Sequence, residues 1–117
     1  MQMNEMEMGG VRPVDGYGPG FFRIGGAVIR GAVLVTPRSV AEWGGLHDRA
    51  ALLALAGEID VILFGMGAEI AHLAPDLRAA IEAAGMGAEV MNSPAACRSW
   101  NVLAAEGRRV ALAALPV

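Results

Sequence analysis

The residues best suited to do chemistry gather late in the chain: Asn92, Ser93, Cys97, Arg98 and Asn101. If a helix starts beside Ser93, then Ser93, Cys97 and Asn101 fall on one stripe, because residues four apart share a helical face. Two chemistries follow. A thiolate at Cys97 would be favoured by the helix dipole and by the adjacent Arg98 guanidinium, which describes a nucleophile. Alternatively, Arg98 together with the amides of the helix start would hold an anion. Each residue also has a plainer role. A free cysteine commonly packs as a small hydrophobe. Ser93 suits an N-cap, with Pro94 at the first helical position. Asn101 could bind a ligand or tie a neighbouring backbone to the helix.

A second place with chemical potential is Gly65-Met66-Gly67, which follows an apolar run. The dinucleotide fingerprint requires a third glycine where Ile70 stands, and an acidic residue where Met91-Asn92 stands, so nicotinamide binding is not expected. The loop still matters, since open α/β sheets form crevices beyond the carboxyl ends of their strands. Gly65, Gly67, Asn92 and Ser93 would flank one such crevice. Metal ligation is not expected from His47, His72 and Cys97, which lack ligand spacing. No Gly-x-Ser-x-Gly elbow is present. Glu69, Asp76 and Glu82 fit a solvated helix face better than an acid–base pair. No catalytic set is complete, and no cofactor is implied.

The elements that must position these residues are legible from pattern. Residues 1–14 read as a flexible tail, and residues 15–117 as a single α/β domain. Asp15 to Gly20 carries turn chemistry. Phe21 to Ile24, Ala27 to Arg30 and Ala32 to Thr36 read as short strands of an N-terminal meander, and Ser39 to Trp43 as a further strand or turn. Asp15, Tyr17, Arg23 and Arg30 could form a polar cluster beside the meander, a solvated strand face explains the arginines equally well, and Phe21, Phe22 and Trp43 fit either core or an exposed contact patch. Leu46 to Ala56 has helical propensity and Gly57 can close it. Ile59 to Phe64, apolar without interruption from Val61 onward, reads as a strand covered on both faces. Pro75 and Asp76 open a second helix whose apolar face is Leu77, Ala80, Ile81 and Ala84. Ala88 to Met91 returns as a strand, Ser93 starts a third helix, Gly107 ends it, and Arg109 to Leu115 is the last strand. Alternating helices and strands after a meander predict a mixed β-sheet with mainly parallel pairing in its second part.

Composition sets outer limits. The chain has 117 residues, 55% of them hydrophobic, with nine basic and twelve acidic residues and a formal net charge of −3. A domain of this length buries roughly two thirds of its unfolded surface. There is no basic stripe for nucleic acid. Every basic residue is arginine, so no phosphate-loop lysine or lysine Schiff base is available. The single cysteine forms no internal disulfide. No apolar run approaches the roughly 20 residues that cross a bilayer, and the acidic first residues do not read as a secretory leader. Cytoplasmic placement is the expectation.

The motifs Tyr17-Gly18-Pro19-Gly20-Phe21-Phe22-Arg23-Ile24, Phe64-Gly65-Met66-Gly67, Val90 to Leu103 and Glu106-Gly107-Arg108-Arg109-Val110 occur in an order and spacing that carry a resemblance. From Asp15 to Val117 the chain resembles the small domain shared by the mitochondrial NADH:ubiquinone oxidoreductase (complex I) assembly factor and the adipogenesis-associated domain protein, a family with single-domain bacterial and archaeal members. The resemblance implies a compact α/β domain with a mixed sheet and a protein-binding role in assembly, without an established activity. It also implies that Gly65, Gly67 and Asn101 are shared for structural or binding reasons. The leading expectation is a non-catalytic binding or assembly-accessory protein, with an unidentified protein partner and self-association both open. The rival is a small enzyme or anionic-metabolite binder using the crevice around Cys97, Arg98 and Asn101.

Overall fold

Two-residue turns fold the first described strands back on themselves. In a computed structural model that describes residues 10–117, β1 (Val14–Gly18), β2 (Phe21–Ile24) and β3 (Ala27–Arg30) form an antiparallel sheet in the order β1-β2-β3. The Asp15–Gly20 stretch is therefore mostly strand and not only turn. A register shift between Val14 and Gly16 accommodates its glycines, as a bulge allows. The expected flexible tail lies in part outside the described residues. Val11 and Val14, at its inner end, are buried.

Gly31, at a φ of +83° that disfavours side-chain-bearing residues, redirects the chain out of this sheet. The next strands join a second one. β4 (Val33–Val35), β5 (Val40–Glu42), β6 (Val61–Met66), β7 (Gly87–Met91) and β8 (Val110–Leu115) take the order β5-β4-β8-β6-β7. β6 pairs in parallel with both β7 and β8, and β4 pairs antiparallel with β5 and β8. The meander is thus divided between two sheets, where the sequence pattern suggested one mixed sheet.

Period-two alternation sorts the side chains of the larger sheet between two cores. Val33, Val35, Leu63, Leu112 and Ala114 face one core, shared with Phe22, Ile24 and Trp100. Leu34, Ile62, Phe64, Ala111 and Ala113 face the other, shared with Leu52, Leu77 and Ile81. Three helices occur among the described residues: α1 (Arg49–Leu53), α2 (Pro75–Ala83) and α3 (Ser93–Ala105). The crossover from β6 to β7 runs one way across the sheet and that from β7 to β8 runs back. Right-handed connections then place α2 and α3 on opposite faces. α3 approaches β8 closely on one face, and the residues of β8 alternate between the two cores, which explains its unbroken burial from Val110 to Ala114.

α1 is shorter than the Leu46–Ala56 pattern suggested. Asp48 caps it, and beyond Leu53 the bonds Leu55 N to Leu52 O and Ala56 N to Leu53 O tighten into three-residue turns. Arg49 donates to Asp76 at 2.8 Å, joining α1 to α2. That hydrogen bond, with the attraction of the guanidinium, lowers the Asp76 pKa. Among the described residues no helix is long and apolar enough to cross a membrane.

Candidate functional site

The carboxyl end of β6 and the start of α3 meet closely because residue 65 has no side chain. A Cβ on Gly65 would stand 2.8 Å from Ser93 Oγ, 2.9 Å from Ser93 Cα and 3.2 Å from Ala114 Cβ. With glycine there, Ser93 N–H donates to the Gly67 carbonyl at 2.7 Å and Gly67 N–H donates to Ser93 Oγ at 2.9 Å. The Ser93 hydroxyl in turn donates to the Leu115 carbonyl at the end of β8. Ser93 is the one buried polar residue among the described residues, and both roles of its hydroxyl are taken inside the fold.

The helix start leaves little for a guest. Asn92, not Ser93, is the N-cap: its Oδ1 accepts from Ala95 N–H at 2.8 Å. The reason is geometric, since Ser93 is already drawn down onto Gly65 and Gly67 and its oxygen is committed there. Ser93 N–H goes to Gly67, Pro94 has no N–H, Ala95 goes to the cap, and Ala96 N–H bonds the Asn92 carbonyl at 3.0 Å. The donors that a helix normally leaves free at this end are all accounted for.

The rest of the stripe is equally occupied. Cys97 is 3% exposed. Burial pushes its thiol from 9.0 up to about 11, with the Arg98 charge opposing and losing. That is the opposite of an activated nucleophile, which requires a depressed pKa. Asn101 accepts from Val14 N–H at 2.8 Å and donates to the Val14 carbonyl at 3.0 Å, clamping α3 to β1. One residue before it, Trp100 is fully buried and donates to the Arg12 carbonyl at 3.0 Å. Arg98 is exposed and lines a shallow outer hollow with Ser99, Val102 and Leu103. The structure therefore brings Gly65, Gly67, Asn92 and Ser93 together as one closed network. It sets Cys97 in the core, Asn101 on β1 and Arg98 on the surface. An anion or substrate crevice at this point is not favoured.

Sequence reasoning misses a different place. Val28, Ile29 and Arg30 of β3 face Val40, Ala41 and Glu42 of β5 across an open groove of about 330 Å³. Val28 is 50% exposed. The short strands themselves are a visible signal, but nothing local reveals that their outer edges lie together.

The chain resembles known proteins over nearly all its length. It is 51% identical over 117 residues to an uncharacterized protein of Rhodobacter capsulatus, covering 100% of this chain and 94% of that one. It is 29% identical to NADH dehydrogenase (ubiquinone) 1 alpha subcomplex assembly factor 3 of Danio rerio, over 86% of this chain. The aligned region spans 62% of that assembly factor's length. Among solved structures, one described as an outer membrane protein from Bartonella henselae superposes with a TM-score of 0.83 at 31% identity. That match covers 92% of this chain and 96% of the other. The sequence pattern of the DUF498/DUF598 family, described as proteins of unknown function, matches residues 14–115, and the chain belongs to that family.

Proposed function

We propose that this protein is a non-catalytic accessory factor that acts by binding another protein, in the assembly of a respiratory complex. The observation that carries this reading is its relationship to assembly factor 3 of NADH dehydrogenase. The chemistry of α3 supports it from the other side. The polar groups that would serve a metabolite are spent on internal bonds, and the thiol is held protonated. In this reading Gly65, Gly67, Asn92, Ser93 and Asn101 are framework residues that lock α3 to both sheets, and Arg98 is a surface residue. The protein works in the cytoplasm, where it meets its partner before or during assembly.

The test combines deletion with capture. Loss of the gene is expected to lower the amount of fully assembled NADH:ubiquinone oxidoreductase on a native gel. The tagged chain, expressed at its natural level, is expected to retain subunits of that complex. Normal assembly in the deletion strain, together with the absence of any retained protein, would overturn the proposal.

A further inference from the structure

Each sheet has two outer strands, and the four edges are finished differently. At the β1 edge, Asn101 takes both the N–H and the C=O of Val14. On β7, Arg78 Nη1 donates to the Ala88 carbonyl at 3.0 Å. Among the described residues, no side chain serves the backbone of β3 or β5 in this way. A bare row of donors and acceptors is a template for another strand.

Hairpin geometry shows which groups are bare. The Gly25–Gly26 turn makes Ile24 and Ala27 a hydrogen-bonded pair, and antiparallel bonding then alternates through Phe22–Ile29 to Gly20–Gly31. Gly31 N–H donates to the Gly20 carbonyl at 2.9 Å, as that alternation requires. Val28 and Arg30 therefore aim their N–H and C=O groups away from β2. The Pro37–Arg38 turn does the same for β5. Thr36 and Ser39 bond each other, Leu34 pairs with Ala41, and Trp43 N–H donates to the Ala32 carbonyl at 2.9 Å. Val40 and Glu42 are left pointing outward. All four residues with outward backbone groups line the same groove.

We propose that this groove is the docking site of an extended segment of a protein partner, which adds a short strand at the β3 edge with β5 as the opposite wall. This deepens the protein-binding reading above and rests on it. The occupant's chemistry follows from the walls. Unpaired backbone donors and acceptors require a strand, since a helix satisfies its own. Val28, Ile29, Val40 and Ala41 require small or branched apolar side chains. Arg30 and Glu42 are both exposed, and neither takes part in an ion pair among the described residues. An acidic residue in the segment meets Arg30, and a basic one meets Glu42. The lengths of β3 and β5, four and three residues, set the docked core of the segment.

The test places a photo-crosslinking amino acid at Val28, at Ala41 or, on the far helix, at Val102 in the full-length chain in its native cell. Adducts from positions 28 and 41, but not 102, to one short segment of a partner are expected. The recovered segment, made as a synthetic peptide, should bind the purified chain. Val28→Pro removes one outward N–H, a substitution that edge strands tolerate, and should weaken that binding at least tenfold. Arg30→Glu removes no backbone group, guards against misfolding of the proline variant, and should also weaken it at least tenfold. Adducts from 102 alone would overturn the groove while leaving protein binding intact. Adducts between two copies of this chain would overturn the partner assignment. No adduct from any position, with no protein retained by the tagged chain, would overturn both readings. Peptide affinity unchanged by Arg30→Glu and Val28→Pro would overturn the strand-docking geometry.

Discussion

The start of α3 and the groove between β3 and β5 are opposites. At α3 the chain concentrates serine, asparagine, cysteine and arginine, yet the polar atoms turned toward the sheets are bonded within the fold. At the groove the side chains are mostly apolar, yet the backbone presents polar groups with no partner among the described residues. Residue type alone points to the first place, and hydrogen-bond accounting points to the second. A polar side chain is a functional group only when the fold leaves it unspent. A backbone edge is a functional group wherever the fold leaves it bare.

This contrast can be broken experimentally. The largest effect belongs to Gly65. A Cβ there collides with the backbone of Ser93 and with Ala114, neither of which can swing away. Gly65→Ala should cost about 3 kcal/mol, at the upper end of ordinary overpacking, as read by urea denaturation. A cost near zero would mean that the α3 seat is looser than described. Next is Asn101→Ala, which strips both partners from Val14. Leaving that pair unsatisfied should cost about 2 kcal/mol and speed hydrogen exchange at the Val14 amide.

A subtler effect is pH-dependent. Burial holds the Cys97 proton to about 11, whereas an ordinary thiol releases it at 9.0. Between those values the unfolded chain binds fewer protons than the native one, so stability falls as pH rises; well below 9.0, where the thiol is protonated in both states, it contributes no slope. Cys97→Ala should flatten that alkaline decline in urea midpoints. At neutral pH the native thiol should react with iodoacetamide more slowly than a free model thiol. Fast reaction would restore the nucleophile idea and erase the contrast. The smallest stability effect is expected in the groove itself. Val28→Thr, at a half-exposed edge position, should change stability by less than about 0.5 kcal/mol. A large loss there would show that the groove is already engaged in holding the fold together.

Much of the architecture is legible in the order of residues. Val61–Phe64 and Val110–Leu115 signal strands through unbroken apolar runs, and Pro75, Pro94, Gly85 and Gly107 bracket two helices. These signals are local, because propensity and turn chemistry act within a few residues. Other features have no local trace. The assignment of β3 and β4 to different sheets depends on a kink at Gly31 whose direction only packing reveals. Ser93 has the composition of an N-cap, but its attraction to Gly67 and Leu115 moves the cap to Asn92. Residue type leaves Asn101 open between ligand and backbone, because Val14, its partner, lies 87 residues away along the chain.

From its residues alone, then, the chain declares an arginine-only α/β domain with a meander, three helix starts and no complete catalytic set. Tertiary structure alone decides which polar groups remain available. The physical reason is that secondary structure is encoded by neighbours along the chain, whereas hydrogen-bond satisfaction is settled by neighbours in space. In space, Gly65 draws α3 closed while β3 and β5 keep their outer edges open.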